Sequence, residues 1–223
     1  MKLSVKEVAR ILAVSENEVA RWVREEHLPG LVVSGQLRFH AHDLLEWATA
    51  RHMSVPPELF ANGHDEGPFG LLAAAIKRGG FLPRVPGSDK EAVLQAVVER
   101  VSFLSTAERQ ELGVLLKTRE RGGTTAVGDG IAIPHPAHPL VIAGDEPSIT
   151  LCYLDQPVDF GATDGLPVRA LFLLLATNIR NYLTLLAELA AALHNQAVRQ
   201  AVKNNASQAE FLRVIRQLCP QAA

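Results

Sequence analysis

The chain has 223 residues, of which 48% are hydrophobic, and its formal net charge is −2 at pH 7. This length suits two unequal domains with a substantial core. No apolar run approaches the about 18 residues of a membrane span, and the N-terminus lacks the apolar segment of a signal peptide. With only two cysteines, Cys152 and Cys219, the sequence predicts a cytoplasmic protein in a reducing compartment, without a membrane partner.

Two helices are predicted at the start of the chain, each opened by a capping box. In a capping box a serine is followed three residues later by glutamate, and here the pairs are Ser4 with Glu7 and Ser15 with Glu18. Only Ala13-Val14 separates the two apolar patterns, so the helices must cross sharply, as in a helix-turn-helix.

A hairpin and a third helix follow. Pro29-Gly30 is predicted to stop the second helix, residues 31–33 and 37–39 to form a β-hairpin, and Ala41–Arg51 to form the third helix. Helix, turn, helix, hairpin and helix in this order resemble the winged helix-turn-helix of the MerR and excisionase families. The phrase Arg38-Phe39 followed by Asp43-Leu44-Leu45-Glu46-Trp47 is typical of them.

The predicted contacts of this segment with DNA are Asn17, Arg21 and Arg24 on the second helix and Arg38 on the hairpin. Residues 1–54 nevertheless hold seven basic and seven acidic side chains, which is no electrostatic footprint for DNA. A solvated helix face in a domain that contacts proteins therefore stays open. A homodimer is also left open, because helix-turn-helix proteins commonly bind paired half-sites as dimers.

Residues 52–68 lose periodicity and gather proline and glycine. We therefore predict a winged helix-turn-helix domain at 1–54, a linker at 55–68 and a second domain at 69–223. In the second domain Ser88 with Glu91 and Ser105 with Glu108 are predicted to open helices. Strand-like runs alternate with helices and predict an α/β fold: strands at 131–133, 148–154 and 168–176, and helices at 182–195, 196–203 and 209–218.

The stretch before His135 carries the residues best suited to chemistry. Four glycines (Gly122, Gly123, Gly128, Gly130) would let backbone amides approach an anion, and Thr124 and Thr125 would add hydroxyl donors. Pro134 ends a short strand and fixes the backbone ahead of His135. An imidazole held next to such donors suits nucleophilic attack on phosphorus. No Gly-Lys-Ser/Thr follows, so nucleotide binding is not expected.

Several motifs in the second domain share one resemblance. Arg119-Glu120, Gly123-Thr124-Thr125 and Gly130-Ile131-Ala132-Ile133-Pro134-His135 resemble the phosphorylation-site signature of the fructose/mannitol-type IIA domains of the bacterial sugar phosphotransferase system and their nitrogen-regulatory relatives. Pro157–Ala162, Asp164–Val168 and Leu171–Leu174 match the same family in order and spacing. The resemblance covers roughly residues 68–220.

The resemblance implies a mixed β-sheet sandwiched by helices, without a cofactor. It also implies that His135 accepts a phosphoryl group from the histidine-containing phosphocarrier protein and that Arg119 neutralises its charge. Family members generally have a second histidine opening the helix after the long apolar strand. Here that position holds Tyr182, which can donate a hydrogen bond but cannot be cationic.

The other histidines have simpler explanations. His138 follows His135 in a proline-rich loop and is expected to be exposed. His40 and His42 with Asp43 lack further ligands at suitable spacing, so no metal site is predicted. His194 suits the C-terminus of a helix.

Three functions remain open. A IIA-like domain joined to a helix-turn-helix, with no IIB or membrane domain in the chain, favours a regulator that reports the energy or nitrogen state to DNA or a partner protein. A phosphotransferase component that passes its phosphoryl group to a separate IIB domain is the second. The third is a binding module in which Tyr182 marks the loss of transfer.

Overall fold

The computed structural model describes residues 2–33, 35–51, 53, 55–56, 69–138 and 146–218. The predicted linker, apart from Val55 and Pro56, and the second cysteine, Cys219, lie outside the described residues. Cys152 is a buried free thiol, and its burial raises its pKa. Among the described helices, none is both long enough and apolar enough to cross a membrane.

The N-terminal segment has the predicted order of elements. It comprises β1 (Lys2–Ser4), α1 (Val5–Ile11), α2 (Glu16–Glu25), β2 (Leu31–Val33), β3 (Gln36–His40) and α3 (Ala41–Ala50). The β2–β3 hairpin is joined by β1, which pairs antiparallel with β3. Strand β1 was not predicted, since three residues before a capping box are too few to show a periodicity.

The start of α1 follows the sequence more closely than either end of α2. Ser4 and Glu7 form the full capping box of α1. At the start of α2 the Ser15 hydroxyl accepts a hydrogen bond from Glu18 N at 3.2 Å. The Glu18 carboxylate forms an ion pair with Arg21 and not a hydrogen bond with the Ser15 amide, so the capping box is incomplete. Helix α2 also ends at Glu25 and not at Pro29-Gly30, because the chain turns at His27 in the left-handed region (φ +56°).

The second segment is built on one five-stranded mixed sheet. Its elements are α4 (Gly70–Gly79), β4 (Phe81–Val85), α5 (Lys90–Arg100), α6 (Thr106–Arg121), β5 (Ala126–Gly128), β6 (Ile131–Ala132), β7 (Ser148–Val158), β8 (Val168–Leu175), α7 (Ile179–His194), α8 (Gln196–Lys203) and α9 (Gln208–Leu218). The strand order is β4-β7-β8-β6-β5. β4–β7 and β6–β8 are parallel, and the other two pairs are antiparallel.

Helices cover both faces of this sheet, which confirms the predicted α/β sandwich. Along β8, Ala170, Phe172 and Leu174 face the cluster formed with α4, α7, α8 and α9, whereas Leu171 and Leu173 face the cluster formed with α5 and α6. Because side chains alternate along a strand, burial on both faces requires the nearly unbroken apolar run seen here.

Two predicted helix starts in this segment were wrong. Asp89, not Ser88, caps α5, accepting from Ala92 N at 2.9 Å. Helix α7 begins at Ile179, where Asn178 caps it, so Tyr182 lies in its first turn and not at its first residue. Strand β6 was predicted, but β5, α4 and β4 were not. Helix α4 has no capping side chain of its own. Instead the carboxylate of Glu188, on α7, accepts a hydrogen bond from Leu72 N in its first turn at 2.8 Å.

Candidate phosphoryl-accepting site

His135 is held in a fixed position at the end of β6. Ile133 N donates to Thr125 O at 3.0 Å, and Leu174 N donates to Pro134 O at 2.9 Å, so the backbone is fixed on both sides. The His135 ring is 3% exposed, and its Nδ1 lies 2.7 Å from Ile133 O. A carbonyl oxygen only accepts hydrogen bonds, so Nδ1 carries a hydrogen and Nε2 is the atom that faces the site.

The threonines of the preceding loop support the backbone. Thr125 donates from its amide and from its hydroxyl to the buried Glu120 carboxylate, at 3.1 and 2.6 Å. The Thr124 hydroxyl donates to Phe160 O at 2.6 Å. Thr125 also lines the small space beside His135. Its hydroxyl is therefore committed to Glu120 in this structure, and its direct role as a donor to an anion stays a prediction.

Two of the four glycines that were predicted to let backbone amides approach an anion have a different role. Gly128 and Gly130 have positive φ angles (+86° and +74°) and form the β5–β6 turn with Asp129. This turn lies at the opposite end of the hairpin from His135, because Ala126 pairs with Ala132 next to the His135 end. Gly122 and Gly123 instead follow α6, where Gly123 O accepts from Arg119 Nη1 at 2.9 Å.

A carboxylate from the N-terminal segment completes the site. Glu46 on α3 accepts hydrogen bonds from His135 Nε2 at 2.7 Å and from the Tyr182 hydroxyl at 3.0 Å, both at Oε1. Its Oε2 forms an ion pair with Arg119 Nη2. We call Glu46, Arg119, His135 and Tyr182 the His135 cluster. The last three were predicted from the sequence, whereas Glu46 was not.

The cluster strongly favours the ionised form of Glu46. Burial by itself would raise its pKa, but the hydrogen bond from His135 and the charges of His135, Arg119 and His42 lower the pKa to about 2. The two atoms that contact the His135 nitrogens, Ile133 O and Glu46 Oε1, are both acceptors. In each of these contacts the ring nitrogen is therefore the donor.

Tyr182, predicted to take the place of the family's second histidine, lies beside His135. Its ring centroid is 5.3 Å from that of His135, and the side chain is buried. Burial, together with the charge of Glu46, raises the pKa of Tyr182, so the hydroxyl stays protonated and can only act as a neutral partner. It therefore supplies a hydrogen bond without a positive charge.

The remaining predicted residues lie outside the cluster. His42 Nε2 contacts Asp43 Oδ1 at 2.7 Å, which raises the pKa of His42. His138 is exposed, as predicted. Within the described ranges no group of three metal-ligating side chains is present. The four residues predicted to meet DNA are also elsewhere: Asn17, Arg21 and Arg24 are exposed on α2, and Arg38 binds Gln36 Oε1 at 2.6 Å on β3.

The chain contains the two modules that this geometry indicates. Residues 81–218 match the family described as phosphoenolpyruvate-dependent sugar phosphotransferase system, EIIA 2, and residues 3–52 match a helix-turn-helix domain. The first match spans more than half of the chain, so the chain belongs to the EIIA 2 family of this phosphotransferase system.

Its relatives include several nitrogen regulatory proteins. That of Pseudomonas aeruginosa is 38% identical over 137 residues, which is 60% of this chain and 86% of the relative. That of Escherichia coli is 28% identical over 149 residues, or 65% of this chain and 88% of the relative. The crystal structure of nitrogen regulatory protein IIA-Ntr from Neisseria meningitidis superposes with a TM-score of 0.54 at 25% identity, covering 65% of this chain and 99% of that one.

Proposed function

We propose that the chain is a phosphorylation-responsive regulatory protein in which His135 accepts a phosphoryl group from a histidine-containing phosphocarrier protein. The observation that carries the proposal is the direction of His135 Nε2. Nδ1 is hydrogen-bonded to Ile133 O, so Nε2 is the ring nitrogen that faces the site. There it shares the partner Glu46 with Arg119 and Tyr182, two donors suited to phosphoryl oxygens.

The proposed transfer moves one phosphoryl group between two histidines. The lone pair of a neutral His135 Nε2 attacks phosphorus, and the N–P bond on the carrier breaks as the new one forms. The electron pair of the broken bond returns to the carrier's ring nitrogen. Arg119 offsets the charge on the phosphoryl oxygens, and Tyr182 adds a neutral hydrogen bond. The step needs no cofactor.

A regulatory role is favoured by what accompanies the IIA domain. A helix-turn-helix lies in the same chain, and several relatives bear the name nitrogen regulatory protein. We propose that the N-terminal segment passes the phosphorylation state to DNA or to a partner protein. Asn17, Arg21 and Arg24 are exposed on α2, where a partner could reach them. A homodimer stays a prediction that sedimentation of the full chain would test.

Intact-mass spectrometry tests the acceptor directly. The chain is incubated with phosphoenolpyruvate, enzyme I and the phosphocarrier, and the wild type is compared with His135→Ala and His138→Ala. His138 is the matched control, since it is an exposed histidine three residues further along. We expect one acid-labile phosphoryl increment in the wild type and in His138→Ala, and none in His135→Ala. If none of the three proteins gains it although the carrier is charged, phosphotransfer is lost and the protein is a binding module.

A further inference from the structure

The side of the IIA domain that carries His135 already has a bound partner, the third helix of the N-terminal segment. Helix α3 contacts α7 and β5. The side chains on this face recur at helical spacing: Glu46 contacts His135, and Thr49 lines small spaces beside Val127 and Leu186. The buried apolar residues of the N-terminal segment and those of α4, α7, α8 and α9 form one continuous cluster. The contact is therefore a packed interface with the Glu46 carboxylate inside it.

Glu46 has the chemistry of a phosphoryl group at the same location. It is an anion with oxygens bonded to His135 Nε2, Arg119 and Tyr182, the three groups proposed to surround the phosphorus. It also fills the room that a phosphoryl group needs. The space left beside His135 is about 30 Å³, which holds on the order of one water molecule.

Glu46 also keeps His135 in the wrong protonation state for attack. While the carboxylate accepts from Nε2, that nitrogen carries a hydrogen and has no lone pair to offer to phosphorus. Transfer to Nε2 therefore requires Glu46 to leave first and the nitrogen to lose its proton. Once His135 is phosphorylated, the dianionic group and the Glu46 carboxylate would have to share one buried site, which like charges disfavour.

We propose that α3 and the phosphocarrier compete for one surface, and that Glu46 occupies the phosphoryl site of His135 until the carrier or the phosphoryl group displaces it. This inference rests on the proposed function. Binding linkage makes the effect reciprocal: the factor by which Glu46 disfavours phosphorylation is the factor by which phosphorylation disfavours docking of α3. The His135 cluster thereby couples the phosphorylation state to the position of the N-terminal segment.

The competition is tested by the rate of phosphorylation from a charged phosphocarrier at limiting concentration. Glu46→Gln keeps the size of the side chain and removes its charge, Glu46→Asp keeps the charge and shortens the reach, and Glu25→Gln removes a charge from the exposed face of α2 as a matched control. We expect the initial rate to rise at least about fivefold in Glu46→Gln and less in Glu46→Asp. The control should match the wild type.

A second readout follows the His135 ring itself. Nitrogen-15 NMR of unphosphorylated protein should show a hydrogen on Nε2 in the wild type and in Glu25→Gln, and Nε2 without a hydrogen in Glu46→Gln. Circular dichroism verifies that each variant is folded. If Glu46→Gln is not folded, Glu46→Asp replaces it in the comparison.

The outcomes separate the two proposals. If all variants are phosphorylated at the same rate and the ring is unchanged by Glu46→Gln, the inference is overturned while the proposed function stands. If no variant is phosphorylated by a carrier shown to be charged, the proposed function is overturned, and the competition with it. Faster phosphorylation of Glu46→Gln than of the wild type and Glu25→Gln supports both proposals.

Discussion

Two glutamates hold the surroundings of His135, one through Thr125 and one by direct contact. Glu120 lies near the end of α6 and binds Thr125 five residues away, whereas Glu46 lies on α3, 89 residues before His135. Glu120 is 3% exposed and bonds to two donors of one neighbour, so it supports the loop in every state of the site. Glu46 bonds to the groups that a phosphoryl group would need. Glu120 therefore stabilises the loop at the site, and in our proposal Glu46 occupies the position of the phosphoryl group.

The largest effect should come from removing the supporting carboxylate. Glu120→Ala leaves the amide and the hydroxyl of Thr125 buried without an acceptor, and we expect the free energy of unfolding to fall by about 4 kcal/mol. Urea denaturation measures it, with Glu111→Ala on the exposed side of α6 as the control. A loss no larger than that of the control would mean that Glu120 does not hold the loop.

Acid should weaken the contribution of Glu46 specifically. Its pKa is lowered from 4.5 to about 2, so the stability it contributes is fully present above pH 4.5 and is lost as the pH falls towards 2. A shift of this size corresponds to about 3 kcal/mol. Because other carboxylates also titrate there, the relevant quantity is the difference in unfolding free energy between the wild type and Glu46→Gln from pH 5 to pH 2. We expect this difference to shrink as the pH falls, and a constant difference would contradict the account.

Tyr182→Phe should have a smaller effect on the same contact. The change removes the hydroxyl that donates to Glu46 at 3.0 Å and keeps the ring beside His135, so the unfolding free energy should fall by about 1 kcal/mol. The test is a double-mutant cycle with Glu46→Ala. The two effects should not be additive, since both changes remove the same hydrogen bond. Full additivity would show that the hydroxyl acts elsewhere.

The smallest effect concerns DNA. If α2 meets phosphates, Arg24→Ala should lower affinity for DNA at all sequences alike and reduce the slope of affinity against salt by about 1. Fluorescence anisotropy across a salt series measures this, with Glu25→Gln as the exposed neighbour for comparison. No measurable DNA binding by the wild type at low salt would favour a protein partner for the N-terminal segment.

The sequence predicted what is local in this molecule. The strand before His135, the capping boxes at Ser4 and Ser105, and the nearly all-apolar β8 each follow from a few neighbouring residues, and the structure contains them. The family pattern also predicted that Tyr182 lies beside His135. Prediction from the sequence failed where the contacting residue is distant in the chain. Glu188 caps α4 from 116 residues away, and no pattern within α4 indicates this contact.

Glu46 shows the same limit at the site. In the sequence it is one charged residue between Leu45 and Trp47 in a phrase typical of winged helix-turn-helix domains. Its partners belong to another segment, and nothing in either segment alone pairs them. The available signal was a charge on α3 four residues after His42 and three before the buried Thr49, on one face of the helix. Only the packing of α3 on α7 and β5 shows what that face contacts.

Hydrogen exchange of the wild-type chain, before and after phosphorylation by the phosphocarrier, tests whether phosphorylation of His135 displaces Glu46. The comparison concerns the amides of α3, of the first turn of α7 and of β5, where the two segments meet. We expect faster exchange there once His135 is phosphorylated, with the strands β7 and β8 unchanged. Equal exchange at this contact in the two states, with phosphorylation verified by intact mass, would contradict displacement of Glu46.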